Sequence, residues 1–146
     1  MLTIHAADEV RYGTETVKGG AVAVEGGRIA AVGPSEELLE RFPGARVRAW
    51  PGVLGPGRVH EGPLPDAPSP RERVHAVLKS GATAVLREYV DSPELRAAAA
   101  RNEVLVLASA QAPAITVHGR ADLAVFDGTG ACLATVCAGR LVHRRR

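Results

Sequence analysis

The sequence predicts an α+β fold, with β-rich segments at both chain ends enclosing a small parallel α/β unit. Three observations predict it. Residues 21–25 and 28–32 are apolar β-rich runs joined at Gly26-Gly27, and glycine tolerates the positive φ of a tight hairpin turn. Residues 121–143 repeat that rhythm, with turns at 128–130 and at Gly139-Arg140. Between them, helix and strand signals alternate over 69–110.

Taken in order, residues 2–6 alternate weakly and predict a first strand. After the 21–32 hairpin, Gly33-Pro34 ends the run and Ser35 is placed to cap a short helix. Glu36 and Glu37 in its first turn favour the helix dipole, Leu38, Leu39 and Phe42 form its buried side, and Pro43-Gly44 stops it. Residues 46–50 predict another strand. Residues 55–70 are rich in glycine and proline and predict irregular chain. Ser69-Pro70-Arg71-Glu72 then combines a capping box with proline at the first helical position. Val74, Val77 and Leu78 share a face of that helix, and Gly81 ends it. Residues 82–87 predict a buried strand. Ser92-Pro93-Glu94 starts a second helix with Leu95, Ala98 and Ala99 inward, and 104–108 is a continuous apolar strand. Helix–strand–helix–strand with apolar strands implies right-handed crossovers and parallel pairing. Strands follow at 121–127, 131–138 and 141–143.

The chain has 146 residues, enough for one domain with a real core. Aromatics are 3% of it, so Val, Leu, Ile and Ala must build that core. A net charge of +2 names no partner, and no basic face with interleaved aromatics marks a nucleic-acid binder. Arg144-Arg145-Arg146 reads as a solvated tail. Cys132 and Cys137, the only cysteines, are five positions apart on a strand and read as buried small hydrophobes in a reducing compartment. No signal-like segment opens the sequence and no apolar run has the length of a membrane helix. The expectation is a cytoplasmic protein with neither nucleic acid nor membrane as partner.

Two phrases carry more than local structure. Gly27-Arg28-Ile29-Ala30-Ala31-Val32-Gly33 lies near the start, and Gly119-Arg120-Ala121-Asp122-Leu123-Ala124-Val125-Phe126-Asp127 near the end, followed by Ala138-Gly139-Arg140-Leu141-Val142-His143. In this order they resemble the metal-dependent amidohydrolase superfamily, nearest its imidazolonepropionase and aminodeoxyfutalosine deaminase branch. The resemblance implies that both ends assemble into one β-sandwich, the composite domain, over 1–57 plus 115–146. It makes 69–110 a truncated remnant of the family's barrel and 58–68 a linker. A complete (β/α)₈ barrel of roughly 250 residues does not fit in the chain. After Pro56-Gly57 the family phrase runs into a His-x-His metal pair expected at 62 and 64. This chain has Gly62 and Leu64 there. No family metal ligand or catalytic residue carries over, and no cofactor is expected.

The non-inherited candidates are His60 and Glu61, where sandwich hands over to barrel, and Arg87, Glu88 and Asp91 after a parallel strand. Strand ends are where α/β proteins place functional groups. Neighbours on an extended chain point apart, so His60 and Glu61 do not readily share a metal. Solvated strand-end residues are the plainer reading of all five. The sequence therefore reads as a degenerate amidohydrolase-like module, binding or structural rather than catalytic, with a small-molecule ligand and a homodimer as its expected partners. The alternative is a small hydrolase acting on C–N bonds through a relocated or partner-completed site.

Overall fold

A computed structural model describes residues 1–145. Arg146, the last of the terminal arginines, lies outside the described residues. The larger unit is one eight-stranded sheet. Its strands are β1 (Leu2–Tyr12), β2 (Glu15–Lys18), β3 (Gly20–Glu25), β4 (Arg28–Pro34), β5 (Arg46–Pro56), β9 (Leu123–Phe126), β10 (Cys132–Cys137) and β11 (Arg140–Arg144). The order is β11-β10-β9-β5-β1-β3-β4, with β2 added on β1. Both chain ends thus share one sheet, joined where β5 pairs antiparallel with β9 and parallel with β1.

The sheet folds over on itself. Arg28 at the head of β4 bridges Arg120, although β4 and β9 stand far apart in strand order. Ile29 N donates to Gly119 O at 2.9 Å, and Ala121 N to Gly27 O at 2.8 Å. Inside the fold lie Val10, Val22, Val24, Ile29, Trp50, Leu54, Leu123, Val125 and Val136. Outside, α1 (Ser35–Arg41) packs Leu38 on Ile4, Ala21, Ala23 and Ala31.

The smaller unit is a parallel sheet in the order β6-β7-β8, from β6 (Arg58–His60), β7 (Ala82–Leu86) and β8 (Leu105–Leu107). α2 (Pro70–Lys79) and α3 (Pro93–Arg101) cover one of its faces. Their N-caps form as the sequence requires: Ser69 Oγ accepts from Glu72 N at 3.2 Å, and Ser92 Oγ from Leu95 N at 3.1 Å. α2 is tied to the larger sheet where Thr135 Oγ1 donates to Leu78 O at 2.7 Å. No helix among the described residues is long and apolar enough to cross a membrane.

The structure corrects several expectations. β1 runs to Tyr12, well past residue 6, because a register shift between Ala7 and Glu9 reverses which residues face inward. Ala7 and Val10 both reach the core, so simple alternation fails. β5 extends through Pro56, and residues 58–60, expected to be irregular, form β6. Ser35 is the first helical residue rather than the cap, and its Oγ donates to Gly20 O at 3.1 Å. Leu39 faces solvent. β8 is shorter than the apolar run at 104–108 and forms the open edge of its sheet, with Leu105 39% and Val106 38% exposed. Cys137 is buried, Cys132 only partly.

Candidate functional site

The three parallel strands point their C-terminal ends to one rim. Register aligns His60 with Val85 and Val106, and Leu86 with Leu107. Glu61 therefore leaves β6 at the rim where Arg87 and Glu88 leave β7 in a short 3₁₀ turn, and Asp91 follows in the connection to α3. The rim gathers the sequence candidates without knitting them together. His60 Nε2 pairs with Pro63 O at 2.9 Å. Glu61, Arg87, Glu88 and Asp91 are exposed, and none is in an ion pair among the described residues.

Positions 62 and 64 are occupied by backbone and core. Gly62 sits at φ +117°, a conformation that disfavours any side chain. Leu64 is buried with Val74, Val77 and Leu78. Arg73 fixes this turn, donating to Leu64 O at 3.0 Å and Pro65 O at 3.2 Å. Among the described residues, no group of three His, Cys, Asp or Glu side chains is arranged to hold a metal ion.

Beneath the rim, the face of the parallel sheet away from the helices carries Val59, Ala84, Leu105 and Leu107. Residues 111–114 lie across it and leave a cavity of about 240 Å³. In a complete barrel this face would look into the interior. Here the lining is mostly apolar, with Gln111, Thr116, Arg120 and Asp122 as its polar members.

Arg120 and Asp122 belong to a polar junction that sequence reasoning missed. Asp122 Oδ1 accepts from Arg120 Nε at 3.0 Å and from Ala138 N at 3.0 Å. Arg120 also donates to Glu103 O and, at 3.1 Å, to Cys137 Sγ. Burial pushes the Cys137 thiol up to about 11, with Arg120 opposing it in part, so it stays protonated and unreactive. The junction clamps the α3–β8 connection onto β10. The other aspartate of the same phrase, Asp127, folds a turn instead. Hydrogen bonds from the Thr129 hydroxyl and then from the backbone N–H groups of Thr129 and Ala131 hold its carboxyl below the usual range. The signal for both roles was the phrase itself, but it does not say which partners its carboxylates reach.

His5 is also structural. Trp50 Nε1 donates to its Nδ1 at 3.2 Å, and burial, with a smaller effect from Arg48, lowers its pKa to about 4. It is a neutral acceptor in the core of the larger sheet.

Residues 20–45 match the family described as imidazolonepropionase-like composite domain, bacteria. No curated protein matches the chain by sequence. Among solved structures, an adenosine deaminase from Xanthomonas campestris with bound zinc is similar over 72% of this chain and 33% of its own, with 20% identity and a TM-score of 0.56. Escherichia coli guanine deaminase is similar over 71% and 35%, with 17% identity and a TM-score of 0.56. Aspergillus niger ochratoxinase is similar over 72% and 30%, with 18% identity and a TM-score of 0.53. At these identities the likeness is one of fold. The chain spans about a third of the length of each structure. The amidohydrolase resemblance is borne out in the composite-domain segment and in the fold.

Proposed function

We propose that this chain is a degenerate amidohydrolase-like module without the family's metal site, serving as a non-catalytic binding or structural unit. Leu64 carries the reading. Hydrolysis on this scaffold needs several donors converging on a metal that activates water. At position 64 the side chain is instead part of the packing under α2, and its carbonyl is pinned by Arg73. The exposed, unpaired Arg87, Glu88 and Asp91 support a solvated rim over a preorganised acid–base set. The bacterial cytoplasm as compartment and self-association through the exposed edge of β8 belong to the same proposal. Two free thiols support the first, and Leu105 and Val106 the second.

The test is elemental analysis of protein purified without a metal-affinity step, paired with an assay for ammonia release from adenosine and guanine. We expect no stoichiometric metal and no release above the uncatalysed rate. One transition metal per chain, lost on His60→Ala, would overturn the proposal and favour a relocated site.

A further inference from the structure

The outer face of the large sheet offers a second place for chemistry, independent of whether the strand-end rim is catalytic. β1, β5 and β9 lie side by side there. Val53 pairs with Phe126 and Gly55 with Ala124, so these four share a face, and Arg11 joins them one residue beyond the Val10–Leu54 pair. Val10 and Leu54 point the other way, into the core. Gly55 leaves a gap in this face: a Cβ built on it would meet nothing within 4 Å. Over the gap lies a cavity of about 410 Å³, walled by Val53, Pro56, Pro113 and Phe126, with Arg11 and Arg58 on its margin. That volume falls within the range of small-molecule pockets.

The arginines give the groove its character. The Arg58 guanidinium carbon lies 3.8 Å from the centroid of the Phe126 ring. Stacking engages the flat face of a guanidinium and leaves its N–H donors free in the plane, where they match a carboxylate edge. Among the described residues neither Arg11 nor Arg58 is in an ion pair. Asp127 also lines the groove, but its Oδ1 accepts three hydrogen bonds from Thr129 and Ala131, and its Oδ2 faces Arg145 at 3.5 Å. Two uncommitted cations therefore border an apolar recess whose one acidic neighbour is already satisfied.

We propose that this groove binds a small organic carboxylate, with its charged end between Arg11 and Arg58 and its apolar body over Gly55. Charge-assisted pairs with guanidinium are the stronger class of hydrogen bond, and the recess gives the body a surface to cover. The groove lies where the large sheet meets β6 and the 111–114 segment, so an occupant touches both units.

Benzoate is the probe and benzamide its neutral counterpart, titrated into ¹⁵N-labelled full-length protein at low salt. The expected result is saturable shifts at Gly55, Phe126 and Gly128 and at the Arg58 Nε resonance. Benzamide, and benzoate with Arg58→Gln or Arg11→Gln, should each bind about tenfold more weakly. Gly55→Leu fills the recess and should abolish saturation while core resonances stay in place. Should that variant fail to fold, the two glutamine variants, both at exposed positions, carry the test. Benzamide binding as well as benzoate, shifts scattered over other basic surface, or saturation unchanged in the glutamine variants would overturn the proposal.

Discussion

The folded-over sheet and the three-stranded parallel sheet share one short chain, yet they solve the problem of edges in opposite ways. The large sheet spends its loose end on itself: the head of β4 bonds to residues 118–121, and the Gly26-Gly27 turn lies against Gly139 so closely that a Cβ there would meet Gly26 O. The parallel sheet has helices on one face only, the thin 111–114 loop on the other, and an outer strand whose Leu105 and Val106 are more than a third exposed. One unit is closed by its own hydrogen bonds. The other is held from outside, through Thr135 to Leu78 and through the Arg120 junction. Energetic weight should therefore concentrate in the first.

The sharpest test of that difference is a pair of truncations. Leu54 is 1% exposed in the centre of the large sheet's core. Leu54→Ala should cost about 2–5 kcal/mol, read as a shift in urea midpoint, because it removes packed methylenes and leaves a cavity. Leu105→Ala on β8 should cost much less. Equal losses at both sites would erase the distinction.

The next effect is set by pH and lies again in the large sheet. Unfolded His5 titrates near 6.5, and folded His5 near 4. Between those values the unfolded chain binds a proton that the folded one refuses. The stability His5 contributes is thus complete above about pH 6.5 and drains away as pH falls toward 4. The full swing is roughly 3 kcal/mol by the conversion of pKa shift to free energy. Thermal melts from pH 7 to 5 should fall steeply for the native chain and more gently for His5→Gln, which can still accept from Trp50. Parallel slopes would show that His5 is not the group responsible.

The two units also differed in how far they could be read from sequence. Most local signals survived: the Gly26-Gly27 turn, the Ser69 and Ser92 caps and the inward faces of α2 and α3 are properties of a few adjacent residues, although the Ser35 cap did not form. What failed was non-local. The register shift at Ala7–Glu9 is invisible to a period-two reading, so β1 was cut short. β6 is only three residues long, and its polar, glycine-flanked sequence becomes a strand because β7 lies beside it. The apolar run at 104–108 gave the right strand, and its place on the open edge of the sheet follows from what packs beside it, which composition does not state. Of the rim, the sequence located the strand ends and read their polar residues as solvated, which matches the exposed Glu61, Arg87, Glu88 and Asp91. Arg11, Gly55 and Arg58 come from three strands and were not legible as a group.

Helix caps offer a smaller and more local comparison. Ser69→Ala and Ser92→Ala each remove one side-chain acceptor from an otherwise orphaned N–H and should cost about 1 kcal/mol. Both helices line the same core cluster, so the two losses measure how firmly the parallel unit is held. Hydrogen exchange should show that unit opening first in either variant, with amides of β3 and β5 still protected. Simultaneous loss of protection in both sheets would mean they unfold as one.

The smallest change in stability, and the most informative about association, is expected at Val106. It is 38% exposed on the outer strand, where an added charge meets water and not core. Val106→Lys should move the unfolding midpoint by no more than about 0.5 kcal/mol, as for surface sites without special contacts. An open strand edge with apolar side chains is nonetheless a template for a second chain, and a lysine on such an edge is a recognised way to block it. If two copies meet along β8, sedimentation equilibrium at micromolar concentration should find a dimer for the native chain and a monomer near 15.2 kDa for Val106→Lys. A native monomer, or a dimer indifferent to the lysine, would mean that the edge is either left bare or covered by something other than its own kind.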